Sequence, residues 1–175
     1  LLNVNWPVEK TWLTAPPAKW DGEPPKVIFA RSSHYQDSRF PWQAIVARFG
    51  SDAAFIGLEA EHEKFCAECG QVDWLETVNL LQVAQAIAQC KVFIGNQSCP
   101  LAIAEGLKKP IVQETWSQAK NCIFNRPEFL ADCYQFKRVA AFVEECLRKR
   151  EPVEKRAAMP AASAAHPPIA EQSRW

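Results

Sequence analysis

The segment Val92–Val112, VFIGNQSCPLAIAEGLKKPIV, constrains what this chain can fold into more than any other. Val92–Ile94 is a short apolar run that reads as a buried strand. Gly95 follows, and a residue without Cβ lets the backbone turn sharply there. Asn96, Gln97 and Ser98 place small polar groups in the turn. Ser98 suits an N-cap, and Pro100 suits a first helical turn, where a missing N–H costs little. A helix over Cys99–Leu107 is expected, stopped by Pro110, with a new strand from Ile111. A helix entered this way leaves its first amides pointing out of the carboxyl edge of a sheet, a ready site for an anion such as phosphate. The spacing matches neither the GxxxxGK[ST] loop nor the GxGxxG fingerprint. A junction of this kind that binds nothing is equally compatible with the spacing.

The rest of the chain repeats the alternation of strand and helix. Val27–Ala30 reads as a buried strand, and Trp42, Ile45, Val46 and Phe49 mark a helical stripe opened by Pro41. Ala53–Leu58 is the next strand. Glu59, Glu61 and Glu63 crowd a helix start, where negative charge complements the dipole. Val72–Trp74 is a third strand, and Leu80, Val83, Ala84, Ile87 and Ala88 form another helical stripe. Ile111–Glu114 is a strand, Asn121–Asp132 reads as loop, and Val139, Phe142, Val143, Cys146 and Leu147 mark a final helix. This order implies an α/β fold, a mainly parallel sheet covered on both faces.

Residues 1–25, interrupted by Pro7, Pro16, Pro17, Pro24 and Pro25 and carrying Trp6, Trp12 and Trp20, read as an irregular lead or linker packed on a domain surface. Residues 26–150 form the regular domain. Residues 151–175 are Ala/Pro-rich and are expected to be disordered.

Composition narrows the function. The chain has 175 residues, and its 20 basic and 20 acidic side chains cancel. Neutrality argues against a nucleic-acid binder with a strongly basic face. No run approaches the length of a membrane span, and the first ten residues lack the pattern of a signal peptide. Seven cysteines, odd in number and dispersed, are expected to be reduced thiols in a cytoplasmic setting. Cys66 and Cys69 form a CxxC, but no second ligand pair accompanies it and it falls late in a helix. Neither a metal site nor a redox pair is expected.

Ligands of parallel sheets bind outside the carboxyl ends of the strands, near the point where strand order reverses. The loop after the first strand, Arg31-Ser32-Ser33-His34-Tyr35-Gln36-Asp37, concentrates hydrogen-bond donors. With Gly95, Asn96, Gln97 and Ser98 it could hold a diphosphate without metal. Solvated loop residues that merely cap helices are the plainer alternative. Gly57 permits close backbone approach after the second strand, and His62 follows in a helix start. Glu105, two turns into its helix, is either a partner for ribose hydroxyls or a solvated charge. A Ser33–His34–Asp37 triad is rejected, because neighbours on one loop rarely meet in that geometry and no GxSxG elbow exists.

The block FIGNQSCPLAIAEGLKKPIVQE resembles the nucleotide-sugar-binding half of GT-B glycosyltransferases, particularly heptosyltransferase-like enzymes. TWLTAPP resembles their linker into the C-terminal domain, VIFARSSHYQDSRFPW their first strand, donor loop and helix, and AAFIGLEAEHEKF their second strand and turn. The resemblance spans roughly residues 10–148. It implies a Rossmann-like three-layer αβα sandwich, one half of a GT-B fold, that binds a nucleotide-diphosphate sugar as donor and uses no cofactor. Ser32, Ser33 and His34 would lie near the phosphates. Gly95, Asn96, Gln97 and Ser98 would surround them, and Glu105 would face the ribose. The reaction would pass the sugar to an acceptor hydroxyl, with the helix dipole stabilising the leaving diphosphate. The chain departs from the family pattern at Gln97, Ser98, Cys99 and Ala102, where an acidic residue, Thr–Gly and a helical His are usual. No counterpart of the family's N-terminal acceptor-binding domain is expected within these 175 residues, and the general base usually comes from that half, so no catalytic residue is assigned. Two other readings stay open: a binding module without catalysis, and a flavodoxin-like interaction domain.

Overall fold

The structure, a computed structural model, describes residues 8–18, 23–118 and 122–149. Six strands form one sheet in the order β3-β2-β1-β4-β5-β6. They are β1 (Val27–Ala30), β2 (Ala53–Phe55), β3 (Asp73–Trp74), β4 (Val92–Asn96), β5 (Ile111–Glu114) and β6 (Phe129–Leu130), and every pairing is parallel. The connecting helices are α1 (Trp42–Phe49), α2 (Glu59–Cys69), α3 (Leu80–Gln89), α4 (Cys99–Gly106) and α5 (Phe136–Arg148). This is a Rossmann-like α/β sandwich. Strand order reverses between β1 and β4, which places the switch point beside the Gly95 segment.

The layers follow from alternation along the strands. Val27 and Phe29 of β1, Phe55, Val92, Ile94 and Val112 point to one face, where α1, α2 and α5 bury Trp42, Ile45, Phe49, Phe65, Val139 and Val143. Ile28, Ala30, Phe93 and Ile111 point to the other, covered by Val83, Ala84 and Ile87 of α3 and Leu101 and Ala104 of α4. Both faces of β1 and β4 are wholly buried, which is why Val27–Ala30 and Val92–Ile94 read as unbroken apolar runs.

Four expectations need correction. Gly95 is not a turn: it lies within β4, paired between Ala30 and Gln113. A Cβ there would come within 2.6 Å of the Ala30 carbonyl oxygen and 2.8 Å of the Phe93 ring, so glycine serves close packing inside the sheet. β2 stops at Phe55, because Gly57 takes φ +147° and turns the chain out of the sheet. Leu80 is not core; it is 63% exposed at the first turn of α3, beyond the sheet's carboxyl edge. The segment read as loop holds β6, where Ile111 and Val112 pair with Phe129 and Leu130. Two residues after Pro127 show no periodicity, so only pairing with β5 reveals them as a strand.

In the lead, the amides of Trp12 and Leu13 both donate to the Gly106 carbonyl at 3.1 Å, and both side chains rest on Gly106. Trp6, Trp20 and the 151–175 tail lie outside the described residues. No helix among the described residues is long and apolar enough to cross a membrane.

Candidate functional site

The loops after β1, β2, β3 and β4 converge at the carboxyl edge around a cavity of about 410 Å³. Its lining is mostly apolar, with Ile56, Leu58, Val78, Leu80, Val83 and Pro100, and includes Gly57. Leu58, Val78 and Leu80 are 71%, 73% and 63% exposed, an unusual cost for three aliphatic side chains clustered at one rim. Local capping holds them there. Glu61 bonds the Leu58 amide at 3.1 Å, Gln82 Oε1 bonds the Val78 amide at 2.9 Å, and Asn79 Oδ1 caps the Gln82 amide at 3.0 Å.

Ser98, Cys99 and Pro100 at the start of α4 close the cavity on the β4 side. The first bond within α4 runs from the Ala102 amide to the Ser98 carbonyl at 3.2 Å. The Cys99 and Leu101 amides precede it and have no acceptor within the helix, while Pro100 has no N–H. Ser98 occupies the N-cap position, but its hydroxyl turns back to the Asn96 carbonyl at 3.1 Å instead of capping. The dipole end of α4 thus faces the cavity without a side-chain acceptor from its own N-cap. Ser32 and Arg31 reach the same cavity from β1. A second recess of about 350 Å³, lined by Ser33, Leu58, Lys64 and Glu68, continues along α2.

The remaining residues singled out from the sequence have different partners. Arg31 forks onto the buried Glu114 carboxylate (2.9 and 3.0 Å) and gives its third nitrogen to Glu68 at 2.9 Å. Burial would lower the Arg31 pKa, but the bonds and charge of Glu114 outweigh it and hold the guanidinium above its ordinary value. Asn96 is wholly buried, and its amide staples the β1 loop, donating to the Ser32 and His34 carbonyls and accepting from the Ser32 amide at 3.0 Å. Gln97, also buried, accepts from the Trp116 amide at 3.0 Å. Asn96 therefore spends its side chain on the protein, and only backbone remains of the loop's expected grip on an anion.

Glu105 lies elsewhere. It is fully buried some 9 Å along α4 from the helix start, by the rise per residue, and ion-paired to Arg126 at 2.9 Å and to Lys108. Both carboxylate oxygens are occupied, so a ribose hydroxyl has no access to it. Ser33 and His34 are exposed on the β1 loop. His62 is half-buried, bonded to the Val72 carbonyl at 2.8 Å and stacked on Trp74. Cys66 touches the His62 ring at 3.2 Å, while burial pushes the Cys69 thiol up to about 11, which makes it a poor thiolate. Among the described residues, no cluster of three His, Cys, Asp or Glu side chains is arranged to hold a metal.

The sequence-based reading missed the hub of this edge. Glu114 accepts from Arg31 twice, from the Trp42 indole at 2.8 Å and from the Asp37 amide at 2.8 Å. Its signal was a charged residue closing a strand that begins with the apolar pair Ile111–Val112.

No protein-family model and no curated protein matches the sequence. Among solved structures, a family 9 glycosyl transferase from Veillonella parvula is similar at 14% identity and a TM-score of 0.43, over 76% of this chain and 41% of that one. The chain therefore corresponds to about two fifths of that protein's length.

Proposed function

We propose that this domain binds the nucleotide diphosphate of a sugar donor and forms the donor half of a metal-independent GT-B glycosyltransferase. The observation that carries the reading is the convergence of an apolar cavity and the open start of α4 at the switch point. The cavity is of ordinary size for a small-molecule site. Its aliphatic walls suit a flat base, and the Cys99 and Leu101 amides suit the diphosphate. The resemblance of the β4–α4 block to nucleotide-sugar-binding halves points the same way. Phosphate recognition then falls to backbone amides and the Ser32 hydroxyl, since Arg31 is committed to Glu114.

A second reading, binding without transfer, is favoured by the same commitments. Arg31, Asn96 and Glu105 are all engaged inside the protein, and a base and an acceptor site would have to come from another domain.

Thermal unfolding with ADP, UDP, GDP and CDP tests the reading. A nucleotide at a hundred times its Kd stabilises by about 2.7 kcal/mol, a rise of roughly 5–10 °C in Tm for a domain of this size. Absence of any shift with all four would overturn donor binding. Nucleoside diphosphate released from a sugar nucleotide after adding an acceptor-binding domain would separate enzyme from binding module.

A further inference from the structure

Three described non-glycine residues have positive φ: Tyr35, Lys108 and Asp132. Lys108 follows the end of α4, where such a conformation is common, and Asp tolerates it. Tyr35, at φ +53°, has neither excuse. A bulky residue is held in a strained conformation only when its surroundings over-determine it. Here the Asn96 amide grips the carbonyls of Ser32 and His34, and the peptide after His34 leads into Tyr35. Tyr35 is 47% exposed, and its ring meets the Trp116 ring at 5.5 Å between centroids, tilted by 53°. The backbone of Trp116 is fixed in turn by the hydrogen bond that its amide donates to Gln97 Oε1. The two buried polar side chains of the β4 loop thus hold two aromatic rings together at the carboxyl edge.

We propose that Tyr35 and Trp116 form a stacking platform for a glycosyl ring. A tilted, open pair cannot sandwich a planar base, and the aliphatic cavity on the β2–β3 side already suits one. A sugar presents C–H groups to an aromatic face and hydroxyls to polar neighbours. The exposed His34 ring, 6.3 Å from Tyr35, and Ser33 supply such neighbours. In its donor form the proposal rests on nucleotide-sugar binding at α4. A ring carried by the acceptor has the same chemistry.

The test follows the Trp116 indole N–H resonance, assigned by its loss in Trp116→Phe, in the full chain. UDP, ADP, UDP-glucose, ADP-glucose and methyl glucoside are titrated separately. A nucleotide sugar is expected to move this resonance while the matching nucleotide does not. Tyr35→Gly suits the left-handed backbone, so it removes the ring while preserving the fold. It is expected to weaken the nucleotide sugar about five- to tenfold and the bare nucleotide less than about twofold. Equal weakening of both overturns the proposal. If no nucleotide binds, the donor reading fails by itself and methyl glucoside decides the platform: a shift of Trp116 at millimolar glycoside, abolished by Tyr35→Gly, supports an acceptor ring. Trp116 unmoved by every sugar overturns the platform.

Discussion

The two sides of the carboxyl edge are built on opposite principles. On the side of α1 and α2, polar groups are saturated: Glu114 takes four donors, Arg31 gives three, and Asp37 pairs with Arg39 at 2.6 Å. On the side of α3 and α4, aliphatic side chains stand in solvent and the first amides of α4 lack helical acceptors. A saturated network is rigid and has nothing left to offer a ligand. An unsaturated rim costs stability alone and recovers it only when something binds. The charged residues of the donor-rich loop, Arg31 and Asp37, are therefore scaffold; the plainer side is where the nucleotide is expected, and only the exposed tip of that loop is left for a sugar ring.

Breaking the scaffold should produce the largest effect. Glu114→Ala leaves the Arg31 charge, the Trp42 indole N–H and the Asp37 amide without their acceptor in a buried site. A loss of about 3–5 kcal/mol is expected in urea unfolding. A loss under about 1 kcal/mol would mean that water replaces the carboxylate and that this side is not closed after all.

The rim should respond in the opposite way. Leu80→Ser removes an exposed side chain, so unfolding without ligand should change by no more than about 0.5 kcal/mol. If the cavity takes a base, the same variant should weaken the nucleotide found by thermal shift by about 1 kcal/mol, roughly fivefold in Kd. An unchanged Kd would move the base elsewhere.

The smallest expected effect is acidic. The hydrogen bond from Arg39 holds the Asp37 carboxyl below its ordinary value, against burial, which pushes it up. The unfolded value is about 3.9. Stability from this pair is fully present above that pH and is lost as pH falls through the lower, folded value. Asp37→Asn should flatten the acid limb of the stability curve while leaving the dependence near neutrality unchanged. An acid limb identical to the parent's would show that the pair contributes nothing to the saturated side.

The sequence by itself determined the alternation of elements. Buried strands such as Val27–Ala30 and Val92–Ile94 are apolar on both faces, and α1 carries its stripe at Trp42, Ile45, Val46 and Phe49. These patterns are local, written within a few residues, as was the start of α4 at Ser98-Cys99-Pro100. Tertiary structure alone decided where the polar residues of the loops point. Arg31 and Glu114 are far apart in the chain and meet only because β1 and β5 flank β4 in one sheet. Glu105 turned inward because Arg126 reached it from the segment before β6. A charge shows its type in the sequence but not its partner, and in a low-dielectric interior the partner decides whether it holds the fold together or is left for a ligand.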